Sequence, residues 1–71
     1  MPDIALLREK IDKSGMTMVA ISVKSGILRE TLYNRLSGKG EFLASEIVGL
    51  TKVLGLSKAE RDKIFFTQKV E

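Results

Sequence analysis

Seventy-one residues make one domain, too short for two and small enough that core burial is limited and pairing with a second copy would add stability. With 44% hydrophobic and 30% charged residues the chain is globular, since a disordered one would carry fewer apolar residues per charge. It has neither Cys nor His, which excludes disulfides and thiolate metal sites and removes the commonest zinc ligand and general base, while a net charge of +3 leaves an anionic partner open.

The start, MPDIALLREKIDKSG, is charged every few residues and has no uninterrupted apolar run. No stretch approaches the ~18 apolar residues that span a bilayer, so a cytoplasmic protein is expected, neither exported nor membrane-embedded. A first helix is predicted over 3–13, with Asp3 as N-cap and Ile4, Leu7 and Ile11 as an apolar stripe, ended by Gly15. Pro2 precedes the cap and interrupts nothing. Thr17 caps a second helix over 18–25, and a third follows over 28–37. Gly38 and Gly40 flank Lys39 in a flexible connection, after which Phe42 and Leu43 lead into a fourth helix over 44–54. Its apolar face is Ile47, Leu50 and Leu54, and Gly55 stops it. Ser57 and Glu60 form an S-x-x-E capping box that opens a fifth helix running to about Phe66, and the tail TQKVE has no periodicity. The expected architecture is a compact all-α bundle of five short helices, one domain over 1–71.

Residues 15–39 read GMTMVAISVKSGILRETLYNRLSGK, two short helix patterns about Gly26. Two helices cross at roughly 90–120° through a turn of about three to four residues when one turn position tolerates left-handed dihedrals, which glycine does without strain. The pattern over 17–37 is a helix-turn-helix. Ile21, Ile27, Leu32 and Leu36 supply its apolar wedge, and Arg29, Glu30, Tyr33 and Asn34 are left on the outward face of the second helix. Charge is concentrated there too. From Lys24 to Lys39 four cations, Lys24, Arg29, Arg35 and Lys39, stand against Glu30, a net +3 that equals the charge of the whole chain.

In its order of motifs the chain resembles the XRE, Cro and phage-repressor (lambda-repressor-like) helix-turn-helix family. G-x-T stands before the first helix of the motif and Gly at the turn, followed by T-L-Y-N-R-L, S-G-K and the helix end V-L-G-L-S. The likeness runs unbroken over 15–39 and more loosely through FLASEIVGLTKVLGLSKAERDKIF. Four positions depart from the family pattern: Ser22 where Ala is usual, Ser25 where an apolar residue is common, Leu28 where Ser or Thr caps the recognition helix, and Arg35 where an apolar residue is common. The missing cap costs about 0.5–2 kcal/mol of local stability. The departures bear on docking angle more than on fold. The resemblance implies a five-helix DNA-binding domain of phage or mobile-element character, a small repressor acting by operator occupancy. It also implies that Thr17 and Met18 lie at a helix N-terminus meeting a phosphate, Met18 through its backbone amide only.

For the remaining positions the side chains set the expectation. Arg29 suits guanine O6 and N7, Glu30 cytosine N4, and Asn34 adenine N6 and N7. Tyr33 suits a phosphate or a thymine methyl, and Thr31 a thymine methyl or a structural role. Lys24, Arg35 and Lys39 are expected on the DNA backbone, where charge serves without sequence-specific geometry; Arg35 has the alternative of packing its stem over Tyr33 or a neighbouring helix. Phe65 and Phe66 are consecutive, so a helix cannot bury both on one face, and a homodimer interface is expected at that pair. Double-stranded DNA and a second copy, pairing before or on the DNA, are the expected partners, with no cofactor, metal or small-molecule ligand. No nucleophile and base pair or Gly-rich phosphate loop points to an enzyme. The competing reading is a protein-interaction module, an antitoxin or adaptor, in which Met18, Val23, Leu28 and the two Phe residues form the contact surface, or else pack under the loop.

Overall fold

Three polar side chains fix where three of the helices begin. In the computed structural model, which describes residues 2–66, Asp3 accepts the Leu6 N–H at 3.0 Å and opens α1, Ile4–Ser14. Thr17 accepts the Ala20 N–H at 3.1 Å and opens α2, Met18–Ser25. Helix α3 is Arg29–Leu36 and α4 is Ala44–Leu54. Ser57 and Glu60 exchange their two bonds, 3.1 and 2.9 Å, at the start of α5, Lys58–Phe65. All described regular structure is helical, and the expected boundaries hold to within a residue or so. The tail TQKVE lies outside the described residues.

A radius of gyration of 11.3 Å matches the ~11 Å of a compact chain of this length. One core holds it together, built from Leu7, Ile11, Ile21, Ile27, Leu32, Leu36, Leu50, Leu56, Ile64 and Phe65. Helix α4 runs through the middle, packed against α1, α2 and α5, while α3 packs on α2. Phe65 closes the end of the core with its ring edge-on to Phe42, centroids 5.2 Å apart. Alongside, the Asp3 N–H donates to the Ile64 carbonyl at 2.6 Å and ties the start of α1 to the end of α5.

Helices α2 and α4 meet closely at Gly49. A Cβ there would stand 2.6 Å from the Ser25 carbonyl oxygen, so α4 meets the last residue of α2 backbone to backbone. Such an approach needs a residue with no side chain. The end of α2 therefore lies directly on the α4 backbone.

Lys10 pairs with Glu60 across α1 and α5. The Lys10 hydrogen bond, helped by the backbone and hydroxyl of Ser57, holds the Glu60 carboxyl down to about 2, from a usual 4.5, and the same bond raises the Lys10 ammonium above its usual value. A depressed carboxylate contributes stability above its unfolded value and loses it as pH falls through the folded one. The denaturation midpoint is therefore expected to fall between pH 4.5 and about 2, and to fall less in Glu60→Gln. Equal slopes in the two proteins would show that the pair contributes nothing.

Packing gives a second expectation, measured by chemical denaturation at neutral pH. Leu32→Ala, at a fully buried site, should cost about 2–5 kcal/mol, and Gly49→Ala about 1–3 kcal/mol by forcing α4 away from α2. A wild-type midpoint in either variant would contradict the packing described.

Candidate nucleic-acid interface

Turn geometry comes first, because it aims α3. Gly26 takes the left-handed conformation, φ 75°, and its N–H donates to the Ser22 carbonyl at 3.0 Å. Both serines that depart from the family pattern act here. The Ser22 hydroxyl donates to the Ile27 carbonyl at 2.5 Å, and the Ser25 hydroxyl accepts the Ile27 N–H at 3.3 Å while donating to the Ser22 carbonyl. Ile27 is thereby buried. Leu28, next in the chain, is 76% exposed and makes no side-chain cap for α3, as its apolar side chain requires.

Helix α3 then has two unlike faces. Leu32 and Leu36 are buried one turn apart. Arg29, Glu30 and Tyr33 are exposed, and Thr31 and Asn34 are half-buried. The five expected base-reading residues therefore lie on one short helix, whose two leucines are buried in the core. Arg29 and Lys39 form no ion pair among the described residues. Lys24 is exposed and its ammonium approaches only the Met16 sulfur, at 3.9 Å. Thr17 is exposed at the start of α2, its hydroxyl engaged with Ala20.

The packing narrows the expected roles of four residues. Arg35 does not lie free for the DNA backbone: its Nε donates to Glu46 Oε1 at 3.1 Å and the side chain is only 18% exposed. Lys39 is exposed, and its N–H donates to the Asn34 carbonyl at 2.8 Å, so of its polar groups the ammonium is the one left for a phosphate. Met18 packs half-buried against the core and leaves the apolar patch to Val19, Val23 and Leu28. Phe65 is buried, which leaves Phe66, 57% exposed, as the aromatic available to a partner.

Glu46 and Arg8 belong to this region as well, although their places in the sequence did not single them out. Glu46 is buried, and besides Arg35 it accepts the Leu43 N–H at 2.9 Å. Its signal was the glutamate three residues after a helix start, obscured because Leu43, the residue at the cap, has no oxygen to complete a capping box. Arg8 reaches from α1 to the Leu36 carbonyl at 3.3 Å, capping the end of α3. Nothing in a contact 28 residues distant could announce it.

Compared with family models, with curated proteins and with solved structures, the chain has no significant match in any of the three. Among the described residues no helix is long and apolar enough to cross a membrane.

Proposed function

We propose that this chain is a sequence-specific double-stranded-DNA-binding protein, a helix-turn-helix regulator of the lambda-repressor-like kind that acts by occupying an operator. The observation that carries the reading is α3: a helix held by buried Leu32 and Leu36 that leaves Arg29, Glu30 and Tyr33 exposed, with Asn34 half-buried beside them. That is a set of donors, acceptors and an aromatic suited to base edges in a major groove. Lys24 and Lys39 flank it as exposed cations, and the first amides of α2, beyond the Thr17 cap, have no partner within their own helix. No metal or cofactor enters the mechanism. Binding would exclude polymerase by occupancy, and affinity would rise as salt falls because each neutralised phosphate releases counterions.

Affinity for an operator calls for two such modules. One buries only about 600–1,000 Å² on DNA, and a two-fold pair places its recognition helices about 34–36 Å apart. In this reading the second copy docks at Phe66, which lines a shallow cleft with Phe42, Ile47 and Val48. A second reading, a protein-interaction module of antitoxin or adaptor type, is favoured by Val23 and Leu28, each 76% exposed and apolar.

Equilibrium binding to duplex DNA tests the assignments. Arg29→Ala and Asn34→Ala should each weaken specific binding by about 1–3 kcal/mol and relax preference at different base pairs. Lys39→Ala should weaken binding to all sequences alike and flatten the salt slope by about one unit. A changed consensus in Lys39→Ala with an unchanged one in Arg29→Ala would reverse the roles.

For the pairing, Phe66→Glu is expected to keep the circular dichroism of wild type and to lose cooperative occupancy of two half-sites. A folded variant that still prefers the full site as strongly as wild type moves the interface elsewhere.

A further inference from the structure

The end of α3 is tied down more heavily than its start. The last four carbonyls of a helix have no partner within it. Here the Tyr33 carbonyl takes the Ser37 hydroxyl at 2.7 Å, Asn34 takes the Lys39 N–H, Arg35 takes the Gly38 N–H at 3.1 Å, and Leu36 takes Arg8. Arg35 then reaches forward along the chain. Its Nη1 donates to the Lys39 carbonyl at 3.4 Å while its Nε holds Glu46, whose same oxygen accepts the Leu43 N–H. One guanidinium and one carboxylate thus fasten the segment between α3 and α4 at two points, Lys39 and Leu43. Gly40 lies against that guanidinium, so that a Cβ there would collide with Nη1.

We propose that Arg35 and Glu46 are positioning residues, a clamp that fixes the 37–43 segment so that the Lys39 ammonium is held beside the outward face of α3. What Lys39 meets rests on the DNA-binding reading; the clamp itself does not. A guanidinium suits this task because its planar fork serves two acceptors at once, which a lysine ammonium on a flexible stem does not reproduce. The rival role for Arg35 is direct neutralisation of a phosphate, and the two roles differ in the sign of one experiment. Removing a carboxylate from a DNA-binding surface ordinarily tightens binding, because one repulsion is lost.

The clamp predicts the opposite for Glu46→Ala: weaker binding to every sequence, with the salt slope shallower by about 0.9 unit as the Lys39 contact is lost. Combining it with Lys39→Ala should flatten the slope no further. Glu46→Gln, which retains an oxygen for Leu43 and Arg35, should restore most of the binding. In the free protein, amide hydrogen exchange at Lys39 and Leu43 should quicken in Glu46→Ala while the amides of α1 and α5 keep their protection. If Glu46→Ala does not fold, Gly40→Ala replaces it, with Gly38→Ala as control. Both glycines have positive φ, but only at Gly40 would the new methyl meet Arg35, so only Gly40→Ala should give the faster exchange and the shallower slope beyond the effect of the control. Tighter binding by Glu46→Ala, additive slopes in the double variant, or unchanged exchange at Lys39 and Leu43 would overturn the clamp. If wild type binds no duplex, the DNA-binding reading falls while the exchange measurement still decides whether the segment is clamped.

Discussion

The direction in which α3 leaves the turn depends on how closely α4 meets the end of α2. With no side chain at Gly49, the Ser25 carbonyl can rest on the α4 backbone. Ser25 in turn accepts from Ile27 across the turn, and Ile27 is driven into the core. From that fixed point α3 starts in a set direction, with Leu32 and Leu36 inward. A side chain at position 49 would displace the anchor, and the exposed residues of α3 would move as a body with it. The function proposed here is sensitive to such a displacement, because base contacts demand placement to a fraction of an ångström.

Burial separates cations that composition treats alike. Arg29 and Arg35 are six positions apart, and the segment's net charge counts them equally. The fold turns Arg29 outward without an ion-pair partner and draws Arg35 onto Glu46, whose side chain is nearly buried. Such a partly buried pair is weak evidence for stability, since desolvation offsets much of the attraction, yet breaking it by removing one partner is costly. Its value is in orientation. Arg8, at the Leu36 carbonyl, adds a cation where the helix dipole is negative, a placement that is favourable whatever the ligand. Of the chain's basic residues near α3, only those that are exposed and unpaired carry the proposed attraction to an anionic partner.

Much of the fold was legible because its determinants are local. Asp3, Thr17 and Ser57 cap within three residues of themselves, and Gly26 announces its turn by being glycine after an apolar run. The wedge of Ile21, Ile27, Leu32 and Leu36 followed from helical spacing and is buried as expected. What escaped was set by tertiary contact. Gly49 sits mid-helix, where a glycine is ordinarily only a weakness, and its reason lies 24 residues away at Ser25. Glu46 and Arg35 look like surface charges until the 37–43 segment brings them together. Ser22 and Ser25 looked like lapses from a pattern, and both are stitched into the turn. On the site, the exposed character of Glu30 and Tyr33 could be foreseen from periodicity; which cations stayed free could not.

The central claim, that the outward face of α3 reads duplex DNA, is tested most directly by selecting bound sequences from a random double-stranded pool at two salt concentrations. The account predicts a palindromic consensus with two half-sites about one helical turn apart. It also predicts that higher salt weakens binding while the consensus persists. A pool that emerges unenriched at both salt concentrations would contradict the claim and turn attention to Val23, Leu28 and Phe66 as a surface for another protein.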